Sequence, residues 1–115
     1  MKRFLVVLFA ALTASVAFGQ VTSRVTGLVQ DSSGAVVTDA SVTLTNEATN
    51  VPVNTTTTSA GSYVFDGMQP GSYRVTIEKS GFSTFIASGN VLTIGQPMVI
   101  NANLQLAPIS KQLKS

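Results

Sequence analysis

Apolar residues recur at every second position through most of the chain after residue 22, the signature of strands with one buried face. In Arg24 to Gln30, Val25, Gly27 and Val29 share a face. In Ala40 to Thr45, Ala40, Val42 and Leu44 point inward and Ser41, Thr43 and Thr45 outward. Tyr63 and Phe65 form one alternating pair, and Tyr73, Val75 and Ile77 form a triplet. Between these two runs lie Met68 and the turn dipeptide Pro70-Gly71, so the stretch Thr55 to Phe82 reads as a β-hairpin within a small sandwich. Val51 to Thr58 is a weaker strand, which Pro52 confines to a sheet edge or to a strand's first position, because proline has no N–H for a ladder. Phe82 is expected to fold back over the core.

Later in the chain, Ser83 to Ala87 and Val91 to Ile94 are two short strands with Gly89 and Gly95 as breaks. Met98 to Leu106 is the last strand, with Met98, Ile100, Ala102, Leu104 and Leu106 on one face, and Ala107-Pro108 stops it. Gly34, Gly61, Pro70, Gly71 and Gly81 punctuate these elements as turn residues. Strands of five to nine residues, with turn signals about every ten, indicate an all-β sandwich or partly open barrel. Its inward set includes Val25, Val29, Val42, Leu44, Tyr63, Phe65, Tyr73, Val75, Ile77 and Phe82, with Leu92 and Ile94 near the end.

The first nineteen residues follow a different pattern. Lys2 and Arg3 precede the apolar run Phe4 to Leu12, and Ala17-Phe18-Gly19 places small residues at the two positions read by a signal peptidase. This predicts a signal-peptide helix over residues 1–19, cut between Gly19 and Gln20 or alternatively after Ala17. A β-sandwich domain over 20–108 and a tail or linker over 109–115 then follow. The expected location is outside the cytoplasm.

Composition narrows the chemistry. Of the seven Lys and Arg, two belong to the signal segment; the remaining five balance five Asp and Glu, which leaves no basic excess for nucleic acid. Cys and His are both absent, which removes disulfides, thiolate metal sites, the usual zinc ligands and the common general base near neutral pH. Ser and Thr are plentiful, but none has a base to activate it. Asp31, Asp39 and Asp66 lack the dense spacing of a calcium loop and sit where turns favour Asp. The run Thr55 to Thr58 fits the strand propensity of threonine rather than a special surface. No cofactor is expected.

The motifs Gly27-Leu28-Val29-Gln30-Asp31, Ala40-Ser41-Val42-Thr43-Leu44, Gly61-Ser62-Tyr63-Val64-Phe65, Pro70-Gly71-Ser72-Tyr73-Arg74-Val75 and Gly81-Phe82, with Gly34, Thr58 and Met68 between them, resemble the carboxypeptidase regulatory-like domain. The resemblance implies a transthyretin-like, seven-stranded Greek-key sandwich, related to the Cna protein B-type repeat. It is strongest over Val25 to Phe82. Related surface repeats carry an isopeptide cross-link from a first-strand Lys, and Arg24 to Gln30 contains none.

The later strands, with Gly95-Gln96 and Leu104-Gln105-Leu106, look most like the module that follows the signal peptide of bacterial TonB-dependent outer-membrane receptors. This implies a non-enzymatic exported interaction or scaffold module of the periplasm or outer membrane in a Gram-negative bacterium. Its partner would be another protein or the remainder of a receptor chain. No plug or barrel sequence follows Ser115, so the expectation divides between a fragment of such a receptor and a free-standing secreted module that binds a small molecule or glycan.

Overall fold

The computed structural model describes residues 22–108, and the predicted signal segment, its Gly19–Gln20 cleavage point and the tail lie outside them. The elements are β1 (Ser23–Asp31), β2 (Ser41–Asn46), β3 (Pro52–Thr56), β4 (Ser62–Met68), β5 (Gly71–Glu78), β6 (Phe85–Leu92), β7 (Met98–Val99) and β8 (Ala102–Leu104). One sheet runs β3-β2-β5-β6, all antiparallel. In the other, β1 is central, with β4 antiparallel on one side and β7 and β8 parallel to it.

Val25 pairs with Met98 and Val29 with Ala102, one constant offset, so β7 and β8 are a single strand interrupted at Ile100-Asn101. Across the interruption Ile100 N–H donates to Thr26 O at 2.8 Å, and Leu28 N–H donates to the Asn101 side-chain oxygen at 2.9 Å. The amide side chain thus supplies the acceptor that a regular backbone would have offered. Counted this way the sandwich has the expected seven strand positions in an all-β Greek-key arrangement: the β2–β3 hairpin is followed by β4 in the opposite sheet before β5 returns to the free side of β2.

The core between the sheets follows the alternation. Val25 and Val29 of β1, Val42 and Leu44 of β2, and Val75 and Ile77 of β5 are fully enclosed, and Tyr63, Phe65 and Tyr73 are buried with them. Phe82 is partly buried and packs against this cluster. At Gly27 two backbones and an aromatic ring meet. A methyl group there would overlap the Ile100 carbonyl oxygen and lie 2.5 Å from Cε2 of Tyr63, the residue directly across the ladder. With the space empty, the Tyr63 ring lies over Gly27 and its hydroxyl donates to Ile100 O at 2.6 Å. Phe65 meets the same ring edge to face, with centroids 5.7 Å apart.

The structure corrects several expectations. The runs flanking Pro70-Gly71 are not a hairpin, because β4 pairs with β1 while β5 pairs with β2 and β6 in the opposite sheet. Alternation identifies each strand's buried face, and two strands facing one core from opposite sheets alternate just as a hairpin does. The left-handed residue of this corner is Gly67, at φ 67°, rather than Gly71, which opens β5. The Tyr73 hydroxyl ties the corner by donating to Gln69 O at 2.7 Å, the arrangement known as a tyrosine corner.

Gly89 does not break a strand: β6 runs through it, with φ 72° and an extra residue opposite β5, so it is a bulge. Ile94 and Leu106, expected inside, are 65% and 69% exposed: Ile94 lies past the end of β6, and Leu106 lies past the end of β8, where the chain has left β1 to form an isolated bridge with Phe82. Thr45, expected outside, is buried between its cross-strand neighbours Pro52 and Arg74. Gly34, Gly61 and Gly81 take positive φ at their turns, and Pro52 is both the first residue of β3 and on an edge, as the sequence suggests.

Two substitutions separate the parts of the Gly27 contact. Gly27→Ala should cost about 3 kcal/mol or more, since neither obstructing backbone nor ring can move freely. Tyr63→Phe should cost about 1 to 3 kcal/mol through the loss of one buried hydrogen bond with the ring retained. Urea denaturation midpoints at constant slope measure both.

Candidate functional site

A cleft lies where the β3 edge meets the β4–β5 corner. Val51 and Val53 point toward the core, in phase with Leu44, but no strand lies beyond β3 among the described residues, leaving them 58% and 39% exposed. Together with Met68 and Tyr73 they form the apolar wall of this cleft, which has a volume of about 370 Å³. Asn46, Thr49 and Gln69 form its polar rim. Part of the rim is engaged: the Asn46 side-chain oxygen accepts from Ala48 N–H and Thr49 N–H, and the Gln69 backbone carbonyl accepts from the Tyr73 hydroxyl. What remains free for a ligand is mainly apolar surface.

A second hollow, of about 280 Å³, lies near the start of β1 and includes Gly67, Gly95 and Pro97. It contains the ion pair Arg24 Nε to Asp66 Oδ1 at 2.7 Å, with both side chains more than half exposed, so water screens the attraction.

Two other carboxylates, Asp31 and Glu47, serve as braces. Asp31 Oδ1 accepts from Ser33 N–H, Ser33 Oγ and Ala35 N–H at 2.9, 2.6 and 3.1 Å, closing the turn that Gly34 completes. These bonds, that from Ser33 Oγ foremost, hold its carboxyl below the ordinary value of 3.8. Glu47 spans three elements: Oε1 accepts from Ser72 Oγ at 2.5 Å and Oε2 from Gly89 N–H at 3.2 Å. Chiefly the Ser72 bond lowers its pKa from 4.5. Asp39 occupies a left-handed turn position at φ 55°. Among the described residues no three potential metal-ligating side chains converge.

The sequence-predicted core residues are thus brought together, but as packing, and the turn residues lie at separate corners. Several residues that brace the loops by hydrogen bonds are not among the candidates that the sequence pattern picks out. Thr57 is one: buried, its hydroxyl donates to Val37 O at 2.7 Å and accepts from Ala40 N–H at 2.9 Å, clamping the entry to β2. Its inward position was discoverable, because Thr57 continues the period-two series Val51, Val53, Thr55. Glu47 and Asn90 carried no comparable signal, since their partners are up to 42 residues away.

The fold and its surface define a small all-β sandwich module. The carboxypeptidase regulatory-like domain family matches residues 24–105, and the chain belongs to that family. No curated protein matches it.

Solved structures share the fold at low identity. The Bacillus anthracis TIE protein is 17% identical, with a TM-score of 0.62, over 76% of this chain and 17% of its own. The 3-chlorocatechol 1,2-dioxygenase of Rhodococcus opacus 1CP is 11% identical, with a TM-score of 0.59, over 77% of this chain and 62% of its own. The pilus 2b backbone protein of group B streptococcus is 15% identical, with a TM-score of 0.55, over 82% of this chain and 43% of its own. This chain therefore spans less than two thirds of each of these, and the likeness establishes architecture alone.

The two lowered carboxyl pKa values set an acid limit. A carboxylate whose folded pKa lies below its unfolded value adds stability above the unfolded value and loses it as pH falls through the folded one. Thermal midpoints should therefore be level above the ordinary carboxylate range and decline below it. Asp31→Asn and Glu47→Gln should each flatten that decline, and an unchanged acid slope in both variants would contradict the bracing role.

Proposed function

We propose that the chain is a non-enzymatic, exported interaction or scaffold module, acting at the outer membrane as an N-terminal extension or fragment of a TonB-dependent receptor. The observation that carries the non-enzymatic reading is the use made of the reactive side chains. Asp31 is spent on backbone and hydroxyl groups of its own turn and Glu47 on Ser72 and Gly89, Asp66 pairs with Arg24, and the hydroxyls of Thr57 and Tyr63 are bonded to carbonyls. The module instead offers its surroundings strand edges and exposed valine and isoleucine side chains. Family membership supports the module reading, and the n-region, apolar run and small-residue cleavage pattern of residues 1–19 support export.

The second reading, a free-standing secreted module that binds a small molecule or glycan, is favoured by the cleft at Val51, Val53, Met68 and Tyr73. Its apolar wall beside a polar rim is the usual makeup of a small-ligand site.

Expression of the full chain in a Gram-negative host tests export directly. The protein should fractionate outside the cytoplasm with Gln20 as its first residue by N-terminal sequencing. Cytoplasmic protein retaining Met1 would overturn the proposal. A glycan or small molecule whose binding is abolished by Val53→Asp, with the fold retained by circular dichroism, would favour the second reading.

A further inference from the structure

We infer that β6 is a self-complementary edge through which two copies of this domain pair antiparallel, joining their four-stranded sheets into one of eight strands. Among the described residues β6 bonds only to β5, so its far side is a free ladder. The bond pattern identifies which groups are free. Asn46 N–H donates to Val51 O and Thr57 N–H to Ala40 O, which directs the even-numbered backbones of β2 toward β3 and those of Ser41, Thr43 and Thr45 toward β5. The same alternation directs Tyr73, Val75 and Ile77 of β5 toward β6, where they face Asn90, Ala87 and Phe85. Ile86, Ser88 and Val91 are left with backbone groups aimed at the open side.

These three positions are symmetric about Ser88. The bulge at Gly89 puts its extra residue on the β5 side, where Asn90 Nδ2 donates to Tyr73 O and Ala87 O at 3.0 and 2.8 Å. The bulge is further tied down by the bond that Gly89 N–H donates to Glu47. The open side therefore presents Ile86, Ser88 and Val91 in succession. A twofold axis at Ser88 sets Ser88 against Ser88 of the second copy and Ile86 against its Val91. Ile86 and Val91 lie on the outer face, opposite Thr76 and Ser72, and are 59% and 63% exposed, so pairing covers two apolar residues per copy that the isolated domain leaves wet.

The other edges carry obstacles that β6 lacks. The ring of Pro52 stands where β3 would offer an outward N–H. β4 carries the charged Asp66 and the bulge at Gly67, and the β7–β8 edge is interrupted at Ile100-Asn101. Phe85–Leu92 contains no charge and no proline. Two such strands meet without repulsion and without an unpaired buried charge. Pairing along so short an edge buries well under the roughly 1,200 Å² of a standard stable interface, so the dimer is transient and concentration-dependent.

The absence of cysteine makes the register directly testable. In the chain as purified from its host, Ser88→Cys should give a disulfide-linked dimer under mild oxidation, because Cα atoms of a hydrogen-bonded antiparallel pair are about 5.5 Å apart, within disulfide range. Its cross-linking should be at least about tenfold faster than that of Thr56→Cys, placed on the β3 edge, owing to the higher effective concentration. Sedimentation velocity of the wild type should show reversible dimer growth between about 10 µM and about 1 mM. Ile86→Lys should remain monomeric over that range with an unchanged thermal midpoint. A wild type that stays monomeric throughout, or equal cross-linking rates at residues 88 and 56, overturns the inference, as does capture of another protein's strand at β6 without self-association.

Discussion

Gly27 has no side chain, and into the space this leaves above the central strand of one sheet the Tyr63 ring is laid, with its hydroxyl on the carbonyl of Ile100. Three strand positions are fixed at that point. β1 supplies the glycine, β4 the tyrosine, and the chain between β7 and β8 the acceptor. The last strand must leave its regular ladder there, and Asn101 restores the missing acceptor to Leu28. A buried carbonyl without a partner would cost more than the bond itself gains, so the hydroxyl is as necessary to this edge as the ring is to the core. Burial raises the Tyr63 pKa to about 12, so the phenol is neutral at ordinary pH and available to donate.

The opposite sheet is held by polar braces at its corners. Glu47 links the β2–β3 turn to β5 and to the bulge of β6, and Asn90 fixes that bulge from its other side. The Tyr73 hydroxyl secures the corner where the chain changes sheets. Two of the five carboxylates among the described residues, Asp31 and Glu47, are thus spent on bracing turns and strand ends, and a third, Asp66, pairs with Arg24. The surface that remains includes the β3 and β6 edges and the exposed side chains of Val51, Val53, Ile86 and Val91.

Much of this was legible in the alternation of the sequence. Val25, Val42, Leu44, Val75 and Ile77 are inward by period two and are enclosed in the structure. The positive-φ glycines at 34, 61 and 81 were identifiable from their neighbours. Sheet membership was not legible, because Tyr63 and Tyr73 approach one core from opposite sides and each alternates as a hairpin strand would. Nor did alternation reveal that Gly89 bulges within a continuous strand: an extra residue disturbs the period just as a break does. The roles of Glu47, Asn90 and Asn101 depend on partners distant in the chain, and nothing local to a polar loop residue distinguishes a brace from a solvated side chain.

The central claim is that the Tyr63 to Ile100 bond holds the final strand on β1. Native-state hydrogen exchange on Tyr63→Phe tests it most directly. Opening of the β7–β8 edge breaks that bond, whereas local opening of the β3 edge does not. The amides of Ile100 and Leu104 should therefore lose protection by the ~1 to 3 kcal/mol that a buried hydrogen bond supplies, while those of Val53 and Thr55 stay unchanged. Unaltered protection at Ile100 and Leu104, or an equal loss at Val53 and Thr55, would contradict it.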